Sequence, residues 1–184
     1  MQPISNALKF SPVIVTFLLL LSGCAAQLPK GIDPVQNFVV DRYLGTWYEV
    51  ARLDHRFERG LSNVSATCTV RDDGDIDVLN RGFNEQKQAW SEAQGKAKFV
   101  RNVDEGFLKV SFFGPFFGSY VVFDLDDAYT QAYVSGNDRS YLWFLARQPT
   151  ITDAQKEAFV KRAEALGFPV AELIFVDQSL GDRP

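Results

Sequence analysis

The chain has 184 residues, with 19 basic and 23 acidic side chains and a formal net charge of −4. That acidic balance, without a basic patch or stripe, argues against a nucleic-acid partner. Two cysteines and one histidine rule out a disulfide framework and leave a structural zinc site without ligands, whereas 16 phenylalanines point to a large apolar interior.

At the N-terminus Lys9 supplies a basic flank, residues 10–21 form an apolar run, and Leu21-Ser22-Gly23-Cys24 leads through small residues into a cysteine. The run is shorter than the roughly 20 residues that cross a bilayer as a helix, so residues 1–23 read as a cleaved export signal. Its exit resembles a bacterial lipobox, which implies that Cys24 becomes the first mature residue and carries acyl chains such as palmitate on its sulfur and terminus. Each chain contributes about 0.8 kcal/mol per buried methylene, and several together make a permanent anchor. Ala25 follows rather than an aspartate, which by resemblance to Gram-negative sorting rules implies the outer membrane, on its periplasmic face. Cleavage leaves roughly 160 residues, enough for one compact domain. It also removes Lys9, the one charged side chain of the signal, and makes the mature chain more acidic. With Cys24 in the anchor, Cys68 has no cysteine to pair with.

Residues 25–41 mix proline, glycine and polar residues without periodicity and read as a tether, so the domain is expected to span residues 42–178, with residues 179–184 as a tail. Eight segments then alternate apolar with polar residues: 47–53, 64–70, 76–81, 93–99, 108–112, 120–125, 132–135 and 142–147. Turn-forming clusters at Asp72-Asp73-Gly74-Asp75, residues 102–106, residues 124–128 and Gly136-Asn137-Asp138 separate several of them. Short connections predict antiparallel neighbours, and closing the meander hides both edges while leaving room for a small ligand. The expected fold is therefore all-β, an eight-stranded up-and-down antiparallel barrel.

The period then changes. Thr152-Asp153-Ala154-Gln155 has the spacing of a capping box, and Ala158, Phe159, Ala163 and Leu166 recur at helical intervals until Gly167, which predicts one helix over residues 154–166 lying against the barrel. Leu173-Ile174-Phe175-Val176 reads as a short ninth strand added at a sheet edge.

Gly45-Thr46-Trp47-Tyr48-Glu49 resembles the G-x-W signature of lipocalins; Leu125-Asp126-Asp127-Ala128-Tyr129 and Arg147 resemble the second and third motifs of that family. Asp54-His55-Arg56-Phe57-Glu58-Arg59-Gly60, the run from Lys109 to Phe116, and Asp138-Arg139-Ser140-Tyr141-Leu142-Trp143 are similar to the bacterial outer-membrane branch related to apolipoprotein D. The resemblance covers residues 40–176. Two positions depart from the pattern: no threonine precedes the aspartate of the second motif, and a free cysteine sits in the second strand.

In a closed meander the start of strand one meets the end of strand eight, which places Arg147 over Trp47 beside Gly45 as a structural plug; a cation–π contact there is worth about 0.5–2 kcal/mol. Alternation puts Glu49 and Ala51 on the Trp47 side, with Arg147 as the carboxylate's expected partner. With Arg147 inward, Leu145, Trp143 and Tyr141 face the cavity. The register implied by the lipocalin resemblance adds Ala66, Cys68, Val70, Val78, Asn80, Ala93, Ala97, Phe99, Val110, Phe112, Tyr120, Val122 and Tyr133. This lining suits a long acyl chain with a polar head, and small residues at 66, 93, 95 and 97 point to unfilled space; a barrel filled by its own aromatics is the alternative. The Phe112–Gly118 loop belongs at the mouth, as a membrane contact or as a lid, and His55, Arg56 and Arg59 lie on the same rim.

The resemblance and the lining together imply a membrane-anchored lipocalin that stores or transports fatty acids, lysophospholipids or similar apolar ligands, with no cofactor and no catalytic residues. The oligomeric state stays open, a homodimer included. Two other functions compete: a cavity enzyme using Cys68, for which an apolar setting would raise the thiol pKa and make it inert, and a tetrapyrrole carrier using His55. Asn63-Val64-Ser65 matches a glycosylation acceptor, a coincidence in a chain with a bacterial signal.

Overall fold

A computed structural model of the protein describes residues 26–180; the signal segment, Cys24 and the last four residues lie outside the described residues. Eight antiparallel strands run as a meander: β1 (Gly45–Arg52), β2 (Leu61–Val70), β3 (Ile76–Asn84), β4 (Ala89–Phe99), β5 (Phe107–Phe113), β6 (Phe116–Leu125), β7 (Gln131–Ser135) and β8 (Leu142–Ala146). Each pairs with the next, and β1 pairs with both β8 and β2, which closes the barrel. Every segment predicted from alternation has its strand. The largest differences are at β4 and β6, each of which starts four residues earlier than expected. β6 is longer because Phe113 pairs with Phe116 across a two-residue turn, where composition alone suggested a wide loop.

The ninth strand, β9 (Ile174–Phe175), is added at a sheet edge as expected, on the free side of β1. It enters the seam where β1 and β2 separate: Gly45 to Tyr48 pair with β2, whereas Ala51 and Arg52 pair with Phe175 and Ile174. The chain beyond stitches the gap. The Asn63 amide donates to the Asp177 carbonyl at 2.7 Å, and the Gln178 side-chain amide donates to the carbonyls of Glu49 and Val64 at 2.8 and 3.0 Å. Asn63 of the acceptor tripeptide is buried in this seam.

Helix α2 (Asp153–Ala165) starts with the capping box expected from its sequence: the Gln155 amide donates to Thr152 Oγ1, and the Thr152 amide donates to Gln155 Oε1. Phe159 and Ala163 face the barrel, and the Phe159 ring lies 4.9 Å from those of both Tyr133 and Phe144. The outer wall of β6–β8 is thus backed by a second core containing Val121, Phe123, Leu142 and Phe144. The opposite wall is bare: Thr69, Asp77, Gln94 and Lys96 on β2–β4 point into solvent.

Residues 26–39 correct the tether reading. Ile32 and Phe38 are buried, the Gln27 amide donates to Ser119 Oγ at 2.8 Å, and Val35 joins the sheet through the Val122 carbonyl at 2.9 Å. Gly106 permits this close packing, since a Cβ there would lie 2.7 Å from Val35. A four-residue helix, α1 (Val40–Tyr43), then crosses the narrow end; it is too short to leave a periodic signal in sequence.

Phe159→Ala is expected to cost about 3–5 kcal/mol through the cavity left between α2 and the wall. Urea denaturation checks this: the midpoint should fall with little change in slope.

Candidate functional site

The narrow end is closed from the backbone upward. Arg147 leaves β8 with its guanidinium 3.8 Å over the Trp47 ring. It donates to the carbonyls of Thr46, Leu44 and Arg42 at 2.8–2.9 Å and to that of Tyr129 at 3.3 Å. Trp47 Nε1 donates to the Tyr43 carbonyl, which ties α1 across the base. Gly45 sits at φ +89°, and a Cβ there would meet Arg147 at 3.5 Å. The left-handed backbone is what favours glycine here, since a contact at that distance is an ordinary one.

Register fixes which residues look inward. Ala66 pairs with Asn80 and Asn80 with Ala93; Cys68 pairs with Val78, and Ala97 with Val110. Together with Phe99, Phe112, Tyr120, Val122 and Trp143 they follow the inward register, and all but Asn80 and the exposed Ala93 group around Trp47 or around Cys68. Tyr141 stands at the rim, just before β8. Tyr133 is corrected. It pairs with Phe144, so it shares that ring's outward face and packs under α2 instead of lining the cavity. Val70 lies at the outer end of β2, 55% exposed. The space expected at Gly95 is taken by the Phe112 ring, 2.7 Å from where a Cβ would stand.

Ala66, Asn80, Val110, Phe112 and Trp143 are only half-buried although they face into a closed ring, whereas Val121 and Phe144 on the outer wall are fully buried. These inward side chains keep accessible surface, although Asn80 Oδ1 is itself buried without a hydrogen-bond partner.

The most polar part of the interior is one that alternation misassigned. A bulge between Glu49 and Ala51 shifts the register of β1, so Ala51 turns outward onto Phe144 and Arg52 turns inward opposite Trp143. Glu49 is therefore paired with Arg52 and not with Arg147: Arg52 Nη1 donates to Glu49 Oε1 at 2.6 Å, both side chains buried. Arg52 Nη2 also holds the β1–β2 loop through the carbonyls of Glu58 and Leu61, and Trp143 Nε1 donates to Glu58 Oε2 at 3.1 Å. Burial, reinforced by the neighbouring Glu58 carboxyl, holds Glu49 well above the ordinary carboxylate range despite Arg52. Burial also raises Glu58, against the opposing hydrogen bond from Trp143. One guanidinium and two carboxyls give the cavity a polar shelf. No pattern in the sequence announces a bulge, so Arg52 and Glu58 were missed.

His55 belongs to this shelf and not to a charged rim. Its ring is sandwiched between Phe57 at 5.4 Å and Tyr141 at 4.8 Å, with Trp143 also at 4.8 Å, and its Nε2 is buried without a hydrogen-bond partner. Burial, then the adjacent Arg52 charge, pushes its pKa down to about 4, so it is neutral at physiological pH. Arg59 forms an exposed pair with Asp54, and Arg56 is exposed.

Cys68 lies at the other end, opposite Gly45 on β1, near the Tyr43 and Tyr120 hydroxyls, which hydrogen-bond to each other at 2.7 Å. Burial pushes its thiol up to about 11. The eight residues of β1 separate it from the loop that carries His55, roughly 26 Å at strand rise. Among the described residues no group of three or more His, Cys, Asp or Glu is arranged to hold a metal ion.

At the mouth, Phe113 and Phe116 are 77% and 78% exposed on the tip of the β5–β6 hairpin, and Phe57 is 59% exposed on the first loop. Phe117 is half-buried, with the Lys109 ammonium 5.1 Å over its ring.

Residues 38–178 match the family model described as a lipocalin-like domain. The outer membrane lipoprotein Blc of Vibrio cholerae is 53% identical over 161 residues, 87% of this chain and 94% of that protein. Its namesake in Escherichia coli K12 is 48% identical over 164 residues, 89% and 93% of the two chains. Among solved structures, the cockroach allergen Per a 4 superposes with a TM-score of 0.64 at 19% identity, covering 83% of this chain and 95% of the allergen, a likeness of fold.

Because the folded pKa of His55 lies below its unfolded value, the unfolded chain takes the proton first as pH falls from about 6.5 toward 4, and the fold loses stability across that window. The raised carboxyls of Glu49 and Glu58 act in the opposite sense, since the folded chain protonates them first. His55→Gln removes only the histidine contribution. Its urea midpoint relative to wild type should therefore improve between about pH 7 and pH 4; a constant gap would show that His55 is not held neutral by burial.

Proposed function

The chain belongs to the lipocalin family, and on that premise we propose that it is an outer-membrane lipoprotein, anchored through acylated Cys24, that takes fatty acids, lysophospholipids or similar apolar ligands into its barrel for storage or transport. One observation carries this: inward residues of a closed barrel keep accessible surface, the depth is mostly apolar, and a Glu49–Arg52–Glu58 shelf stands beside the mouth. An acyl chain fits the depth and its head group the shelf. Burying ten methylenes contributes about 8 kcal/mol, on the scale of a micromolar Kd before ordering costs. The lipobox ending at Cys24, together with the similarity to bacterial outer membrane lipoproteins, supports the anchor and the compartment.

Lipocalins typically bind ligands and do not transform them. The raised thiol pKa of Cys68 and its distance from His55 weigh against nucleophilic catalysis there. Lining residues Ala66, Cys68, Val78, Asn80, Ala97, Phe99, Val110, Phe112, Tyr120, Val122, Tyr141 and Trp143 remain assigned to the ligand; Tyr133 does not.

Trp143 is the expected reporter, because it bonds to Glu58 on the shelf and faces the cavity. Titration with a long-chain fatty acid should shift its emission, and Trp143→Phe should abolish most of the change. A change that persists in the variant would assign the signal to Trp47 or Trp90 and remove the ligand from the shelf. Separately, Cys24→Ser should block incorporation of radiolabelled palmitate; continued labelling would refute the anchor.

A further inference from the structure

We propose, resting on the lipoprotein reading above, that the barrel is held mouth-down on the bilayer that anchors it, with the Phe113–Phe116 hairpin seated in the lipid surface. A free tether over residues 25–41 would have left the orientation open. The packed segment fixes it instead. Gln27 is clamped on β6 by two hydrogen bonds, its amide donating to Ser119 Oγ and the Ser119 hydroxyl donating to its carbonyl, each 2.8 Å. Three residues link Cys24 to Gln27, a reach of at most about 10 Å.

Ser119 lies three residues from Phe116 at the mouth and six from Leu125 at the narrow end, about 10 and 20 Å at strand rise. From Gln27 the chain descends past Val122 to Phe38, whose amide donates to the Asp104 carbonyl at the base. Traced backward it therefore rises toward the mouth. The sulfur of Cys24 can reach the level of the hairpin, and it cannot reach the narrow end.

The surface presented there suits lipid. Phe113 and Phe116 are both more than three-quarters exposed, Phe57 is exposed on the same rim, and the Lys109 ammonium lies over Phe117 behind them. Aromatic rings in front of a cation on a flexible stem match the acyl-to-phosphate gradient of a leaflet. The anchor already supplies high effective concentration, so the hairpin needs little affinity of its own. An acyl chain then passes from leaflet to cavity without crossing bulk water.

The test uses the acylated full-length protein, carrying Cys68→Ser, in vesicles of phosphatidylethanolamine and phosphatidylglycerol. An environment-sensitive fluorophore is placed through Phe116→Cys at the hairpin or Asp72→Cys at the narrow end. Spin-labelled lipid should quench the first at least about threefold more than the second; equal quenching, the reverse order, or quenching of neither would overturn the proposal. In parallel, the double variant Phe113→Ser and Phe116→Ser should slow fatty-acid transfer from vesicles at least fivefold with Kd within about tenfold, whereas weaker affinity with faster release would make the hairpin a lid and overturn it. Quenching at the hairpin in a protein that fails to bind fatty acid would uphold the orientation while removing the cavity reading, so the two failures are distinguishable.

Discussion

Arg147 is one side chain on which a whole end of the molecule converges. Its guanidinium takes up four backbone carbonyls, from Arg42, Leu44, Thr46 and Tyr129, while its face rests on Trp47. Carbonyls that turn away from strand ladders at a barrel end need donors, and a planar cation with five N–H groups is well matched to gathering them. The result is a barrel with one opening. The interior is arranged along that asymmetry: a largely apolar base around Trp47 and Cys68, and a polar shelf at the mouth end.

The shelf in turn depends on strand β1 changing faces midway. β1 pairs with β8 on one side, and on the other with β2 near the base and β9 near the mouth. The bulge after Glu49 lets Val50 and Ala51 both serve the outer core while Arg52 swings inside. A buried ion pair is weak evidence for stability, because desolvation offsets much of the attraction. Here the pair also holds the first loop through two carbonyls of its backbone, which is a positional role that a hydrophobic pair would not supply.

Most of the architecture was legible because it is written in local signals. Alternation marks the strands, and Thr152 with Gln155 marks the helix start. Parity with Arg147 places Trp143 inward, and Ala66, Cys68, Val78 and Asn80 face as the register implied by the lipocalin resemblance has them. Parity fails where register slips. The bulge in β1 misplaced Ala51 and hid Arg52, and Tyr133 was misassigned because size and aromaticity do not say which face of β7 meets the helix. Residues 26–39 were misread for a different reason. They lack periodicity because they form no regular element, yet Ile32 and Phe38 are anchored by contacts distant in sequence. Composition reports flexibility in isolation and is blind to such docking.

The two walls of the barrel differ in thickness, and that sets where the protein yields. β6–β8 are sandwiched between the interior and α2, whereas among the described residues no helix covers the outer faces of β2–β4, where Trp90 packs on its neighbours Phe83 and Arg81. Local opening follows the number of buried apolar contacts a segment must give up. The bare side therefore has fewer apolar contacts to give up on opening than the helix-backed side.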